Sequence, residues 1–177
     1  MFKLMLQSLF VFLPAAIANM MPVLVKDIRF LRIPIDFGIK IKGKEIFGQN
    51  KTWRGFFFGI IGSIGVVYVI AYAGPKDYLV LDYSQINIVL FGALLGAGAL
   101  LGDLIESFAK RRLGIAPGKP LWIFDQIDWI LGAIIAFALM TNSFDFVLMV
   151  FSVVFFGLLH PLINYVGYLL KIKENKF

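Results

Sequence analysis

Five stretches free of Lys, Arg, Asp and Glu constrain this chain more than anything else in it: Leu4–Val25, Gly55–Pro75, Tyr83–Gly102, Trp129–Phe144 and Phe146–Leu170. A helix rises about 1.5 Å per residue, so roughly 20 apolar residues cross a hydrocarbon layer of about 30 Å. The fourth stretch is short by itself. It becomes adequate if its helix opens near Pro120, a residue suited to a first helical turn because it lacks the N–H that would be unpaired there. The expected spans are then near 4–25, 55–75, 83–104, 120–143 and 146–170, with loops 26–54 and 105–119 on one side. With 60% hydrophobic residues and a mean hydropathy of +0.86, the chain is too apolar to keep its surface in water. These features predict an all-α integral membrane protein of about five transmembrane helices, a single domain over 1–177. There is no cysteine, which excludes disulfides, thiolate metal sites and cysteine nucleophiles.

Charge is as unevenly placed as hydropathy. If five helices alternate across a bilayer, one side receives the 26–54 loop, the 103–128 segment and the 171–177 tail. These carry eight, four and three Lys+Arg, and the other side has only Lys3 and Lys76. The positive-inside rule then predicts that the basic side is cytosolic, with the N-terminus outside and the C-terminus in the cytosol of a multi-pass cell-membrane protein. Lys3, the apolar run after it and "AIA" at 16–18 imitate a secretory signal. Losing that span would spoil the asymmetry, so an uncleaved first helix is expected. The net charge of +6 is therefore gathered on one membrane face, which suits lipid headgroups or small anions better than nucleic acid.

The third apolar stretch runs straight into "GDLIESFAKRR", residues 102–112. If the helix continues, Asp103, Glu106, Ser107 and Lys110 fall at i, i+3, i+4 and i+7 and share one face. Asp125 and Asp128 are also three apart, on the opening turns of the fourth helix, at the same membrane depth. Carboxylates gathered in poorly hydrated surroundings repel each other unless a positive charge sits among them. Hard oxygen donors without thiolates point to Mg²⁺ held by Asp103, Glu106, Asp125 and Asp128, with phosphate oxygens and water completing its coordination. Interfacial salt bridges to Lys110, Arg111 or Arg112 are the other reading, for Glu106 above all.

Two basic elements flank the acids. "RRLGIAPGKP" is a loop by its Gly and Pro content, and it brings Lys119 beside them together with Arg111 and Arg112. "FGQNKTWRG" at 47–55 has the wrong spacing for a Walker A loop, because Gln49 and Asn50 separate Gly48 from Lys51. It carries Lys51, Thr52 and Arg54 into the start of the second helix, whose N–H groups and positive dipole end are expected to form an anion site. Gly59, Gly62, Gly65, Gly92, Gly96 and Gly98 are expected at close helix contacts. His160, with Asn164 at i+4, is expected as a hydrogen-bonded helix contact, and Asn19 has similar status. The 26–46 segment alternates basic residues with Ile28, Phe30, Leu31, Ile33, Ile35, Phe37, Ile39 and Ile41, a pattern that suits an interfacial or partly re-entrant loop.

Taken together, "GDLIESFAKRRLGIAPGKPLWIFDQID" and "FGQNKTWRG" resemble the signature elements of the CTP-dependent phosphatidate cytidylyltransferase family, and the whole chain is similar to its archaeal branch. The family's P-G-H-G-G loop is here Pro117-Gly118-Lys119-Pro120-Leu121, its D-R-x-D carries Gln126, and its K-T-x-E-G carries Arg54. These departures point away from an ester-linked phosphatidate. The resemblance implies transfer of CMP from CTP to an isoprenoid ether-lipid phosphate, 2,3-bis-O-geranylgeranylglycerol 1-phosphate, drawn from the membrane, with release of pyrophosphate. It implies Mg²⁺ as cofactor and Asp103, Asp125, Asp128 and Lys119 as catalytic groups. Lys51, Thr52, Arg54, Ser107, Lys110, Arg111 and Arg112 would bind substrate. An ion-coupled transporter or channel with an acidic cation site on the cytosolic side is the alternative. Its disadvantage is that transport sites usually lie near the midplane of repeated halves.

Overall fold

The computed structural model describes residues 1–116, 119, 121, 124–141 and 145–170. Five helices, α1 (Phe2–Leu24), α2 (Trp53–Ala73), α3 (Ile88–Leu113), α4 (Phe124–Thr141) and α5 (Phe146–Leu169), form the body. Each is long and apolar enough to cross a membrane. A two-stranded hairpin, β1 (Lys40–Ile41) and β2 (Lys44–Glu45), interrupts the α1–α2 connection and pairs Lys40 with Glu45. Its turn residues, Lys42 and Gly43, both have positive φ, at 51° and 77°, as a two-residue hairpin turn requires.

The helix ends explain where the structure departs from the expected spans. The side chain of Asn87 accepts the Leu90 N–H at 3.0 Å, so α3 starts at Ile88 and leaves Tyr83–Gln85 in a 3-10 turn rather than in the span. At its other end α3 does not stop near residue 104. It continues to Leu113 and closes on Gly114 at φ 79°, with the Ile115 N–H reaching back to the Lys110 carbonyl. Residues 105–113, expected as loop, are therefore helical. At about 1.5 Å per residue the 26 residues of α3 run about 39 Å, beyond an apolar layer of about 30 Å. The excess is the segment that carries the acids, and Lys110, Arg111 and Arg112 in its last turn oppose the negative end of the helix dipole. The expected start of the fourth helix at Pro120, with Pro117, Gly118 and the 171–177 tail, lies outside the described residues. Asp145 caps α5 by accepting from the Leu148 N–H at 3.0 Å.

Helices in lipid gain little from burying apolar surface against each other, so contact depends on close approach and on polar bonds. The core centres on Phe12, which packs on Phe137 at 5.8 Å and edge-on to Phe156 at 6.5 Å. Ser8 and Ser152 share a buried hydrogen bond of 2.7 Å between α1 and α5, and Ser63 donates to the Gly92 carbonyl at 2.7 Å between α2 and α3. Neighbouring helices run antiparallel, Gly55 lying against Pro22, Gly96 against Ser63 and Gly102 against Asp128.

The tightest crossing is α3 on α4. A Cβ on Gly98 would lie 2.7 Å from the Gly132 carbonyl oxygen, and one on Gly102 or Gly132 would collide with the facing backbone. Gly59, Gly62, Gly92 and Gly96 also lie at helix contacts, as expected, whereas Gly65 faces open space. Gly102→Ala is expected to destabilise the bundle by about 1–3 kcal/mol, because a whole backbone must move to admit one methyl. Gly65→Ala should stay within roughly 0.5 kcal/mol of the parent. Thermal unfolding of both variants in one detergent checks the contrast.

Candidate active site

The α3–α4 crossing sets Asp103, one residue past Gly102, beside Asp128. Around them opens a cavity of about 1160 Å³ at the basic end of the bundle. α3 contributes Asp103, Glu106, Ser107, Lys110 and Arg111 to its lining, and α4 contributes Asp125 and Asp128. The start of α2 adds Lys51, Thr52 and Arg54, and Lys119 comes from the α3–α4 connection. Of the expected site residues only Arg112 is turned away. Its guanidinium donates to the carbonyls of Ile41, Lys44 and Glu45 and lies over the Phe108 ring at 5.3 Å, clamping the hairpin to α3.

Three of the four acids are ion-paired to lysines. Lys51 Nζ donates to both oxygens of Asp103, at 2.7 and 2.6 Å. Lys110 Nζ lies 2.7 Å from Glu106 Oε1 and 2.6 Å from Asp125 Oδ1. Those two oxygens lack an aligned hydrogen bond, so charge rather than direction holds them to the ammonium. Asp125 Oδ2 accepts the Leu121 N–H at 2.9 Å. Asp128 accepts the Trp129 N–H at 2.7 Å and lies within electrostatic range of Asp103, Glu106 and Lys51. Arg111 differs from these groups. It is only 7% exposed, it borders the cavity, and its Nε and Nη1 have no hydrogen-bond partner among the described residues.

The start of α2 corrects an expectation. The N–H groups of Trp53 and Arg54 donate to the carbonyls of Ile33 and Leu31, at 3.0 and 2.8 Å. Gly55 N–H donates to Thr52 Oγ1 at 3.3 Å, and Phe56 N–H to the Thr52 carbonyl at 3.2 Å. The Phe56 bond is the first intrahelical one, and the Trp53, Arg54 and Gly55 N–H groups that the helix start would leave unpaired have acceptors within the chain, so none of these three is left for an anion. Arg54 is bound as firmly, its Nη1 donating to the Lys26 and Ile28 carbonyls. Thr52 caps α2 and Arg54 ties it to the end of α1, while Lys51 carries the free reach into the cavity.

Asp36 is a wall residue that composition and spacing did not single out. Its buried carboxylate accepts from the N–H groups of Gly38, Phe47 and Gly48, at 2.9, 3.0 and 3.4 Å, and so folds the loop that leads to Lys51. The D-x-G spacing of Asp36 and Gly38 was the available signal, since a carboxylate bonding two residues ahead makes an Asx turn. His160 is confirmed as a helix contact, its Nδ1 accepting from Trp129 Nε1 at 3.0 Å across α4 and α5, and it also borders the cavity with Asn164 and Asn19. A second, apolar groove of about 470 Å³ lies between α2 and α3 and shares Ile35, Phe47, Phe56 and Leu104 with the polar cavity.

Donor chemistry decides whether a divalent ion suits this cavity. Among the described residues no three His, Asp or Glu side chains converge on one point. Mg²⁺ needs no such cage, since one or two carboxylates with substrate phosphates and water complete its octahedron. Asp103 with Asp128, and Asp125 with its poorly satisfied Oδ1, meet that requirement.

Comparison with known proteins agrees with this helical membrane architecture. The family described as CarS-like, CDP-archaeol synthase, matches residues 1–177. CDP-archaeol synthase of Thermococcus gammatolerans is 39% identical over 167 residues, covering 93% of this chain and 91% of that protein. That of Archaeoglobus fulgidus is 35% identical over 182 residues, covering 98% of each. A solved intramembrane enzyme for archaeal membrane lipid biosynthesis superposes with a TM-score of 0.72 at 30% identity, covering 88% of this chain and 91% of that one. The protein is an integral membrane enzyme of the nucleotidyltransferase class. It belongs to the CDP-archaeol synthase family, and the transporter alternative has no support.

Burial raises the Asp36 carboxyl, but hydrogen bonds from Phe47, Gly38 and Gly48 outweigh it and leave it below its ordinary value of 3.8. A depressed carboxyl contributes stability above its unfolded value and loses it as pH falls through the folded one. Amide exchange at Gly38, Phe47 and Gly48 should therefore be protected above pH 3.8 and lose protection below it. In Asp36→Asn that protection should already be lowered above pH 3.8, by roughly 1–3 kcal/mol, and should no longer depend on pH through this carboxyl.

Proposed function

We propose that this cavity transfers CMP from CTP to an isoprenoid ether-lipid phosphate, 2,3-bis-O-geranylgeranylglycerol 1-phosphate, on the cytosolic face of the membrane. The observation that carries the reading is the buried Arg111 guanidinium. It borders a cavity lined by the four carboxylates of Asp103, Glu106, Asp125 and Asp128, three of which Lys51 and Lys110 already occupy. A cationic fork held dry and without a carboxylate is a seat for a phosphate.

A lipid phosphate monoester is largely ionised near neutral pH, so the nucleophile needs no general base. One of its oxygens attacks the α-phosphorus of CTP, a new phosphoanhydride bond forms, the α–β bond breaks, and pyrophosphate leaves. The difficulty is to bring two anions together, and catalysis is then chiefly positioning and charge stabilisation. Arg111 and Lys119 hold phosphate oxygens. Lys51 and Lys110 exchange carboxylate partners for phosphate oxygens as substrate enters, which frees Asp103 and Asp125. Ser107, buried in the cavity wall, offers a hydroxyl. Arg54 and Arg112 hold the α1–α2 connection in place instead of touching phosphate. Asp103, Asp125 and Asp128, with Glu106 assisting, would hold Mg²⁺, which when bound would supply charge neutralisation for the reacting phosphates and the leaving pyrophosphate. The lipid chains enter from the side and lie along the apolar groove, whose shared wall with the cavity keeps the phosphate at the polar end. The basic end faces the cytosol, where CTP is, by the same charge asymmetry that places the N-terminus outside.

Asp125→Asn keeps the shape and removes the charge. It should lower CMP transfer by roughly 10²–10³-fold while the protein inserts and unfolds like the parent. The measurement is pyrophosphate release from CTP in the presence and absence of the lipid phosphate. Near-normal turnover would reject the role given to Asp125, and pyrophosphate release without lipid would reject the reaction.

A further inference from the structure

The outer surface of the 26–44 segment takes no part in this chemistry, and it is unusually apolar. Phe30 is 56% exposed and Phe37 67% exposed, with Ile33, Ile39 and Ile41 exposed beside them. Phe37 also sits at φ 51°, where crowding between Cβ and the carbonyl disfavours every residue but glycine. Backbone strain that serves only to hold a phenylalanine ring in water would gain nothing. Something covers that ring.

Its neighbours identify the cover. Phe37 leans on Trp53 at 6.3 Å, and Phe30 meets Phe57 edge-on at 5.6 Å. Trp53 and Phe57 are themselves exposed, and they lie at the first and fifth positions of α2, a helix fit to cross a membrane. Four residues of helix advance about 6 Å, so a ring against Phe57 lies one turn inside the end of a membrane-crossing helix. It sits at the depth of the bilayer boundary. The same segment exposes Arg29, Arg32, Lys40 and Lys42, while Asp36 is turned inward and Asp27 is its one exposed acid. Cations interleaved with large apolar side chains at that depth match a surface carrying anionic headgroups.

We infer that the 26–44 segment is seated in the membrane boundary, with Phe30, Phe37 and Ile39 below the headgroups and with Arg29 and Lys42 bound to the phosphates of anionic lipids in that leaflet. Arg32 and Lys40 border the active-site cavity from the same segment. Anionic lipid gathered on this surface therefore lies at the cavity mouth, and the loop that reaches Lys51 is held against the bilayer. The inference goes beyond the transfer reaction and stands without it.

The absence of cysteine makes the test direct. Ile39→Cys in the full chain, carrying an environment-sensitive fluorophore, is placed in lipid nanodiscs and quenched from water by iodide or from within by brominated lipid. The expected result is quenching by brominated lipid, shielding from iodide, and stronger lipid quenching in anionic than in zwitterionic bilayers. Arg29→Gln with Lys42→Gln should weaken that dependence on bilayer charge, each lost cation weakening docking roughly fivefold at low salt. Quenching chiefly by iodide in both bilayers would overturn the inference and leave the face open to a protein partner. Lipid quenching indifferent to bilayer charge would overturn it too. Neither readout uses CTP, so failure here is distinct from failure of the proposed reaction.

Discussion

Everything at the basic end of this molecule depends on how closely α3 and α4 cross. Gly98, Gly102 and Gly132 remove the side chains that would hold the two backbones apart. In lipid such an approach is stabilised by dispersion between well-fitted surfaces, because surrounding hydrocarbon is as apolar as the helices themselves. Asp103 follows Gly102 directly, and Asp128 presents its own carbonyl to it. The contact that packs the bundle therefore also brings the two acid-bearing helix ends together. The extra length of α3 then lifts Glu106, Lys110 and Arg111 to the height of the opening turns of α4.

Acids so placed cannot remain uncompensated, and the chain supplies lysines on both sides. Lys110, one turn after Glu106, spans from α3 to Asp125 on α4, and Lys51 reaches Asp103 from the start of α2. Lysine suits this role because its ammonium is a compact charge on a flexible stem and can change partners, whereas arginine commits a rigid fork. The arginines bear that out. Arg54 and Arg112 are tied to backbone carbonyls and shape the α1–α2 connection, and Arg111 is buried and left to the cavity. The front wall is the same connection, folded by Asp36, clamped by Arg112 and resting on the start of α2 through Phe30 and Phe37. Cavity wall, hairpin and the start of α2 form one continuous structure.

Much of the architecture was legible in the chain. Apolar runs of the right length define helices because a bilayer leaves the backbone no other way to satisfy its polar groups. The acid spacing of three and four defines a shared face because a helix repeats every 3.6 residues. Where the expectation failed, a local bond outside those periodicities decided. Asn87 moved the start of α3 by capping it, and Gly114 moved its end. The anion site expected at α2 was lost to carbonyls of Ile33 and Leu31, twenty and more residues distant, whose return to that helix no period in the sequence encodes. Asp36 escaped notice because its three partners are backbone amides, two of them eleven and twelve residues away.

The sequence by itself determined the membrane class, the five crossings, the sidedness of charge and the candidate acids and cations, since each follows from hydropathy, helical period or residue chemistry along a line. Only the tertiary structure decided which cation faces which acid, which arginine stays open to the cavity, and that the 26–44 segment turns its apolar side outward. Those depend on distances between residues far apart in the chain, and such distances are set by how closely neighbouring helices and loops can pack.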